Sequence, residues 1–151
     1  LTFSNGLFIR LGSTMFTSSD GLSWTQRAPF GSELVSVTYG QGRWVAIPMC
    51  FGSGMQSPAL TSTDGVTWLP ITASPALCGS AVRFGPGGFV LLRGGNASPF
   101  RDSELRLSAD GLSWTRTIAV GSPYALELEP GASRWVIGSA FGALFVSPGA
   151  L

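Results

Sequence analysis

Ser18-Ser19-Asp20-Gly21-Leu22-Ser23-Trp24 returns as Ser62-Thr63-Asp64-Gly65-Val66-Thr67-Trp68 and again as Ser108-Ala109-Asp110-Gly111-Leu112-Ser113-Trp114. The shared pattern is Ser-x-Asp-Gly-x-Ser/Thr-Trp, with tryptophans 44 and 46 residues apart. A fixed period of this length marks a chain of stacked supersecondary units. The residue types specify a tight turn. The Asp carboxylate accepts from backbone N–H groups just ahead of it, and Gly takes a positive φ that other residues resist. The Ser or Thr hydroxyl closes a further local bond. The Trp is expected to bury its ring against the next unit, where truncation to Ala would cost roughly 3–5 kcal/mol.

A second element precedes each turn. Phe3-Ser4-Asn5-Gly6-Leu7-Phe8 aligns with Tyr39-Gly40-Gln41-Gly42-Arg43-Trp44 and with Phe84-Gly85-Pro86-Gly87-Gly88-Phe89. A looser copy runs from Leu128-Glu129-Pro130-Gly131 to Arg134-Trp135. An aromatic, a Gly-containing turn and a second aromatic opening an apolar run is a hairpin signature. Each period then reads as four strands, placed in the second period at 34–39, 43–49, 59–62 and 66–71. Four antiparallel strands per roughly 40–50 residues is the pattern of a propeller blade. No stretch carries a sustained helical period with caps. The expected fold is all-β, a β-propeller with about 3.5–4 blades in this chain.

The turn motif resembles the Asp-box, or bacterial neuraminidase repeat, in its one-residue-shorter form. Its carriers would be Ser18, Asp20, Gly21 and Trp24, then Ser62, Asp64, Gly65 and Trp68, then Ser108, Asp110, Gly111 and Trp114. The resemblance covers nearly the whole chain. It implies a scaffold role for these residues, because Asp-boxes lie on the side of the propeller away from the ligand. Such repeats occur in sialidases, in photosystem-assembly-factor-like propellers, in secreted glycan-active proteins and in phage tail proteins.

The single domain 1–151 divides into blades of approximately 1–31, 32–74, 75–120 and an incomplete 121–151. The fourth turn is degraded to Ser147-Pro148-Gly149-Ala150-Leu151, without Asp or Trp. An open strand edge invites pairing. Ring closure is therefore expected from further blades outside this sequence or from other chains, with a strained four-blade ring as the third option.

Hydrophobic residues make up 44% of the 151 and charged residues 11%, far below the roughly 25% of a typical domain. That balance excludes disorder. A net charge of +1 gives no electrostatic case for nucleic acid or an anionic membrane. No apolar run approaches the roughly 18 residues of a membrane span. All nine basic residues are Arg and there is no His. The missing Lys points toward a phage or a GC-rich bacterium. The missing His removes the commonest general base and metal ligand.

Strand direction puts the hairpin turns and the Asp-containing turns at one end. The remaining loops lie at the other end, where variable loops on a rigid frame hold binding residues. Two long neighbouring loops, 50–58 and 94–103, carry Phe51, Met55, Gln56, Asn96, Phe100, Arg101 and Asp102. An exposed aromatic with Arg, Asn and Asp nearby suits a glycan or protein contact; the plainer reading is a solvated loop pair. Cys50 and Cys78 fall at this same end of adjacent blades. They form either a disulfide, which implies an oxidising compartment, or two small buried thiols.

Chemistry has little to work with. A sialidase uses an Arg triad, a Tyr–Glu pair and an acid Asp, with Phe/Tyr-Arg-Ile/Leu-Pro near its first strand. Phe8-Ile9-Arg10-Leu11 does not match that motif, and Tyr39 sits at a repeat position. Three of the eight acids belong to turns, and nothing pairs two of the others across a cleft. Asp102 reads as a solvated loop charge and Glu104 as an edge-strand charge. No metal site, cofactor or phosphate loop is expected. The expectation is a non-enzymatic binding or structural module, of a phage tail or another extracellular appendage. The alternatives are a fragment of a sialidase-like hydrolase with its catalytic residues elsewhere, and an assembly-factor-like protein-binding propeller.

Overall fold

The computed structural model describes residues 1–27, 34–50, 58–72, 77–93, 103–114, 116–120, 125–139 and 144–147. It is all-β, with four antiparallel sheets and no helix among the described residues. The first sheet holds β1 (Thr2–Ser4), β2 (Leu7–Arg10), β3 (Phe16–Ser18) and β4 (Thr25–Gln26). The second holds β5 (Leu34–Gly40), β6 (Arg43–Pro48), β7 (Leu60–Ser62) and β8 (Leu69–Pro70). The third holds β9 (Ala81–Gly85), β10 (Gly88–Arg93), β11 (Glu104–Ser108) and β12 (Arg116–Ala119). The fourth holds β13 (Ala125–Pro130), β14 (Trp135–Ser139) and β15 (Leu144–Val146). Within each sheet the strands lie in chain order, so every sheet is a meander of local hairpins.

The first hairpin turns explain this registry. Asn5 and Gly6 have φ of 48° and 72°, and Gln41 and Gly42 have 49° and 73°. Two successive left-handed residues give the mirror-image turn whose twist matches that of the flanking strands. The turns set the repeated aromatic pairs Phe3↔Phe8, Tyr39↔Trp44 and Phe84↔Phe89 directly opposite one another. Their ring centroids are 4.3, 5.0 and 4.9 Å apart.

Alternation along each second strand sends apolar side chains to both faces of the sheet, so the sheets must stack. Leu7, Ile9 and Leu11 of the first sheet's forward face meet Val37, Trp44, Ala46 and Leu60. Val45, Ile47 and Ala59 of the second meet Val82, Phe89 and Leu91 of the third. Val90, Leu92, Leu105 and Leu107 of the third meet Leu128, Trp135 and Ile137 of the fourth. The first strands of consecutive sheets also touch, β1 to β5, β5 to β9 and β9 to β13. Ser36 Oγ accepts from Val82 N at 3.0 Å, and Thr38 Oγ1 accepts from Phe84 N at 3.1 Å. These side-chain bonds stand in for a backbone ladder between sheets.

Close approach at this seam needs glycine. A Cβ on Gly40 would overlap the Phe84 ring, and one on Gly85 would come within 2.5 Å of Pro130 Cβ and 3.0 Å of the Trp135 ring. Gly40→Ala is expected to cost about 1–3 kcal/mol by prying the second and third sheets apart. Urea unfolding checks this, and a loss under half a kilocalorie would mean the seam is loose.

The last strand of the second sheet is shorter than the expected 66–71. The N–H groups of Val66 and Thr67 are taken by Asp64 Oδ1, both at 2.8 Å, so pairing resumes only at Leu69. Glu104, expected at an edge, lies on β11 between β10 and β12. Its pairing with Arg93 is what closes the base of the long loop between those strands.

Candidate functional site

The three Ser-x-Asp-Gly turns are built alike. Asp20, Asp64 and Asp110 each accept two backbone N–H bonds at 2.8 Å through Oδ1. The preceding Ser18, Ser62 and Ser108 donate to the same oxygen at 2.8–2.9 Å and accept from the N–H of Gly21, Gly65 and Gly111 at 2.8 Å. Those glycines have φ of 76°, 73° and 76°. Trp24, Trp68 and Trp114 each close the turn by donating Nε1–H to the Gly carbonyl at 3.1 Å. One carboxylate oxygen of each Asp, the Ser hydroxyl and the Trp N–H of the motif are thus engaged inside its own turn.

The Trp rings do not reach the next sheet. Trp68 packs on the core between the first and second sheets, and Trp114 on the core between the second and third. The second and third of these turns therefore lean on the sheet before them. The wholly buried tryptophans are instead Trp44 and Trp135, both 0% exposed, which open second strands. Trp24, with no sheet behind it, is 37% exposed, so the expected 3–5 kcal/mol for a turn Trp does not apply there.

Backbone donors stabilise the three carboxylates as anions. Asp20 and Asp110 are each lowered to about 2, first by the N–H groups three and then two residues ahead; Asp64 is lowered further for the same reason. A folded pKa below the unfolded value gives stability that is complete above about pH 4 and is lost as pH falls through about 2. The urea midpoint is accordingly expected to stay level above that range and to fall below it. Asp64→Asn should shallow the fall. An acid limb centred well above pH 4 would point to other groups.

The opposite end gathers the starts of the first strands. A cleft of about 370 Å³ opens there, lined by Leu1, Thr2, Leu34–Val37, Ser80 and Arg83 among others. Arg83 was not singled out from the sequence, because its partners Ser36 and Glu129 lie on other sheets. Its Nη1 donates to Ser36 Oγ and Val82 O, both at 3.0 Å, and Nη2 reaches Glu129 Oε1 at 3.5 Å. Its side chain is 35% exposed. An arginine held by fixed acceptors while part of its fork faces a polar cleft suits a carboxylate, a sulfate or a sugar hydroxyl pair.

Cys50 and Cys78 lie at this end and are bonded, Cα to Cα 5.0 Å, linking the second sheet to the segment entering the third. Gly79 N donates to Pro48 O at 3.0 Å beside the bond. The disulfide anchors one side of the loop 50–58. The base of the loop 94–103 is fixed by Glu104, whose Oε1 takes Arg106 at 2.9 Å and Arg93 at 3.3 Å. Phe51, Met55, Gln56, Asn96, Phe100, Arg101 and Asp102 lie outside the described residues. No group of three or more metal-ligating side chains occurs among the described residues, and no helix among them is long and apolar enough to cross a membrane.

No family model, curated protein or solved structure matches this chain.

Proposed function

We propose that this chain is a non-enzymatic binding module, a segment of an Asp-box β-propeller in an extracellular appendage such as a phage tail. Its loop end takes a surface carbohydrate. The observation that carries the reading is the polar cleft at the loop end, with Arg83 held by Ser36 and Val82. Three further features support it. The turn motif bonds its Asp Oδ1, its Ser hydroxyl and its Trp N–H internally, as a scaffold element does. The sheets follow one another through their first strands, as blades do around an axis. The disulfide belongs to an oxidising compartment.

Among the described residues the cleft lining holds one arginine, Arg83, and no carboxylate of its own, with Glu129 Oε1 lying 3.5 Å from Arg83 Nη2. That favours holding a ligand over cleaving one, since glycoside hydrolysis needs two carboxylates flanking the bond. The test is an array of neutral and acidic glycans read with the chain and with Arg83→Ala, each checked for the all-β circular dichroism spectrum. Binding that falls at least tenfold in the variant supports the proposal. Binding unaffected by the variant removes the cleft from it, and no binding to any glycan overturns the carbohydrate reading in favour of a protein partner. Release of a free sugar from a bound glycan would overturn the non-enzymatic part.

A further inference from the structure

The three stacked contacts supply an internal standard for the two faces left over at the ends. At the first sheet, Gly21 and Trp24 are more exposed than their counterparts Gly65, Gly111, Trp68 and Trp114. The reason lies in what covers each turn. A Cβ on Gly65 would overlap Leu7, and one on Gly111 would meet Val45 at 2.8 Å and Arg43 at 3.2 Å, side chains of the preceding sheet. A Cβ on Gly21 meets only Phe8 of its own sheet. Phe3, at the position of Tyr39 and Phe84, is 58% exposed. The rear face of the first sheet is therefore built like those of the second and third, but no sheet among the described residues covers it.

The fourth sheet shows the reverse. Val136 stands where Ile9, Val45 and Val90 point forward, and Val146, opposite Val136, corresponds to Thr17 and Leu107. Thr17 and Leu107 are 1% and 8% exposed and Thr61, their counterpart in the second sheet, is partly buried, whereas Val146 is 55% and the nearby Leu144 72% exposed. Gly131 follows Pro130 as Gly40 follows Tyr39 and Gly85 follows Phe84. Gly40 receives Phe84 and Gly85 receives Pro130, but a Cβ on Gly131 meets only the Arg134 carbonyl.

We propose that the rear face of the first sheet docks on the forward face of the fourth sheet of a second copy of this chain, repeating the contact that joins each sheet to the next. Phe3 of one copy takes the seat at Gly131 of the other, as Phe84 does at Gly40. The two departures from the repeat also match each other. Arg10, lying 5.5 Å over the Phe16 ring, replaces the smaller Ala46 and the apolar Leu91 and Ile137. On the facing side Gly138 replaces Leu11, Ile47 and Leu92, leaving room for it. The contact is head-to-tail, so one pair of copies uses it twice. Closing of the ring rests on the propeller reading above; the pairing of the faces rests on the stacked sheets alone.

Light scattering after size exclusion tests this over a wide range of chain concentration, with Phe3→Glu and Val146→Glu beside the parent. The expected mass is twice that of one chain for the parent and half that value for either variant, with the all-β spectrum kept. Mixing the two variants restores one intact contact and should return dimer. A monomeric parent overturns the inference while leaving the carbohydrate reading standing. A dimer that survives Val146→Glu overturns the head-to-tail pairing, since two first sheets facing each other would ignore Val146. Should Phe3→Glu fail to fold, Leu144→Glu against Val146→Glu and the parent mass still decide the matter.

Discussion

Reducing the Cys50–Cys78 bond, or replacing both residues by serine, is expected to lower stability by about 3–4 kcal/mol. The bond spans 28 positions of sequence, and a loop of that size loses about that much closure freedom from the unfolded chain. The span contains β7 and β8, so the bond encloses half of the second sheet before reaching the third. Its native surroundings oppose relaxation, since Cys50 and Cys78 are 9% and 2% exposed. Reductant is therefore expected to act slowly on the folded chain and quickly in urea. The measurement is a pair of urea curves with and without reductant. A shift below one kilocalorie would show that the second and third sheets hold each other without the bond.

Trp135→Ala is expected to cost about 3–5 kcal/mol, the range for a large buried ring. Trp135 is 0% exposed and packs with Leu128, Ile137, Leu92 and Leu105 at the join of the third and fourth sheets. Its Nε1–H donates to the Pro86 carbonyl at 2.8 Å, tying β14 to the turn of the sheet before. Phenylalanine separates the two contributions. Trp135→Phe keeps most of the ring and loses the bond, at about 1–2 kcal/mol. At the matching position of the second sheet, Trp44 Nε1 is buried with no hydrogen-bond partner among the described residues. Trp44→Phe copies the residue found at Phe89 and should cost less than about 1 kcal/mol, because lost packing is offset by the removal of an unmet donor. Denaturant midpoints giving equal losses for the two Phe variants would show that the bond to Pro86 contributes nothing.

Most of the architecture was legible because its information is local. The recurring Ser-x-Asp-Gly turns, the Asn5-Gly6 and Gln41-Gly42 corners and the paired aromatics each act over fewer than ten residues, and together they mark off four meanders. The strand expected over 66–71 is shortened at its start because a carboxylate two positions back outcompetes a ladder partner for the N–H of Val66. The direction in which Trp68 leans was hidden because it depends on how whole sheets stack. Arg83 escaped notice for a related reason. Its acceptors Ser36 and Glu129 are each some 46 positions away, one on either neighbouring sheet. A single arginine in an apolar strand carries no local sign of that. The loop candidates from Phe51 to Asp102 follow from loop length, position and residue type, and the frame beside them consists of contacts at Cys50, Cys78, Arg93 and Glu104.

Each sheet touches chiefly the sheet before and the sheet after, and this serial arrangement has a thermodynamic meaning. Where units interact only with neighbours, the free energy of the whole is a sum of unit terms and nearest-neighbour terms, and opening begins where a unit has one neighbour instead of two. The second and third sheets are covered on both faces and share the disulfide; the first and fourth are covered on one. Local stability then becomes a profile along the chain. In a single copy, amide protons of β6 and β10 are then expected to exchange last and those of β1 and β15 first, a difference that shrinks where a second copy covers the outer faces.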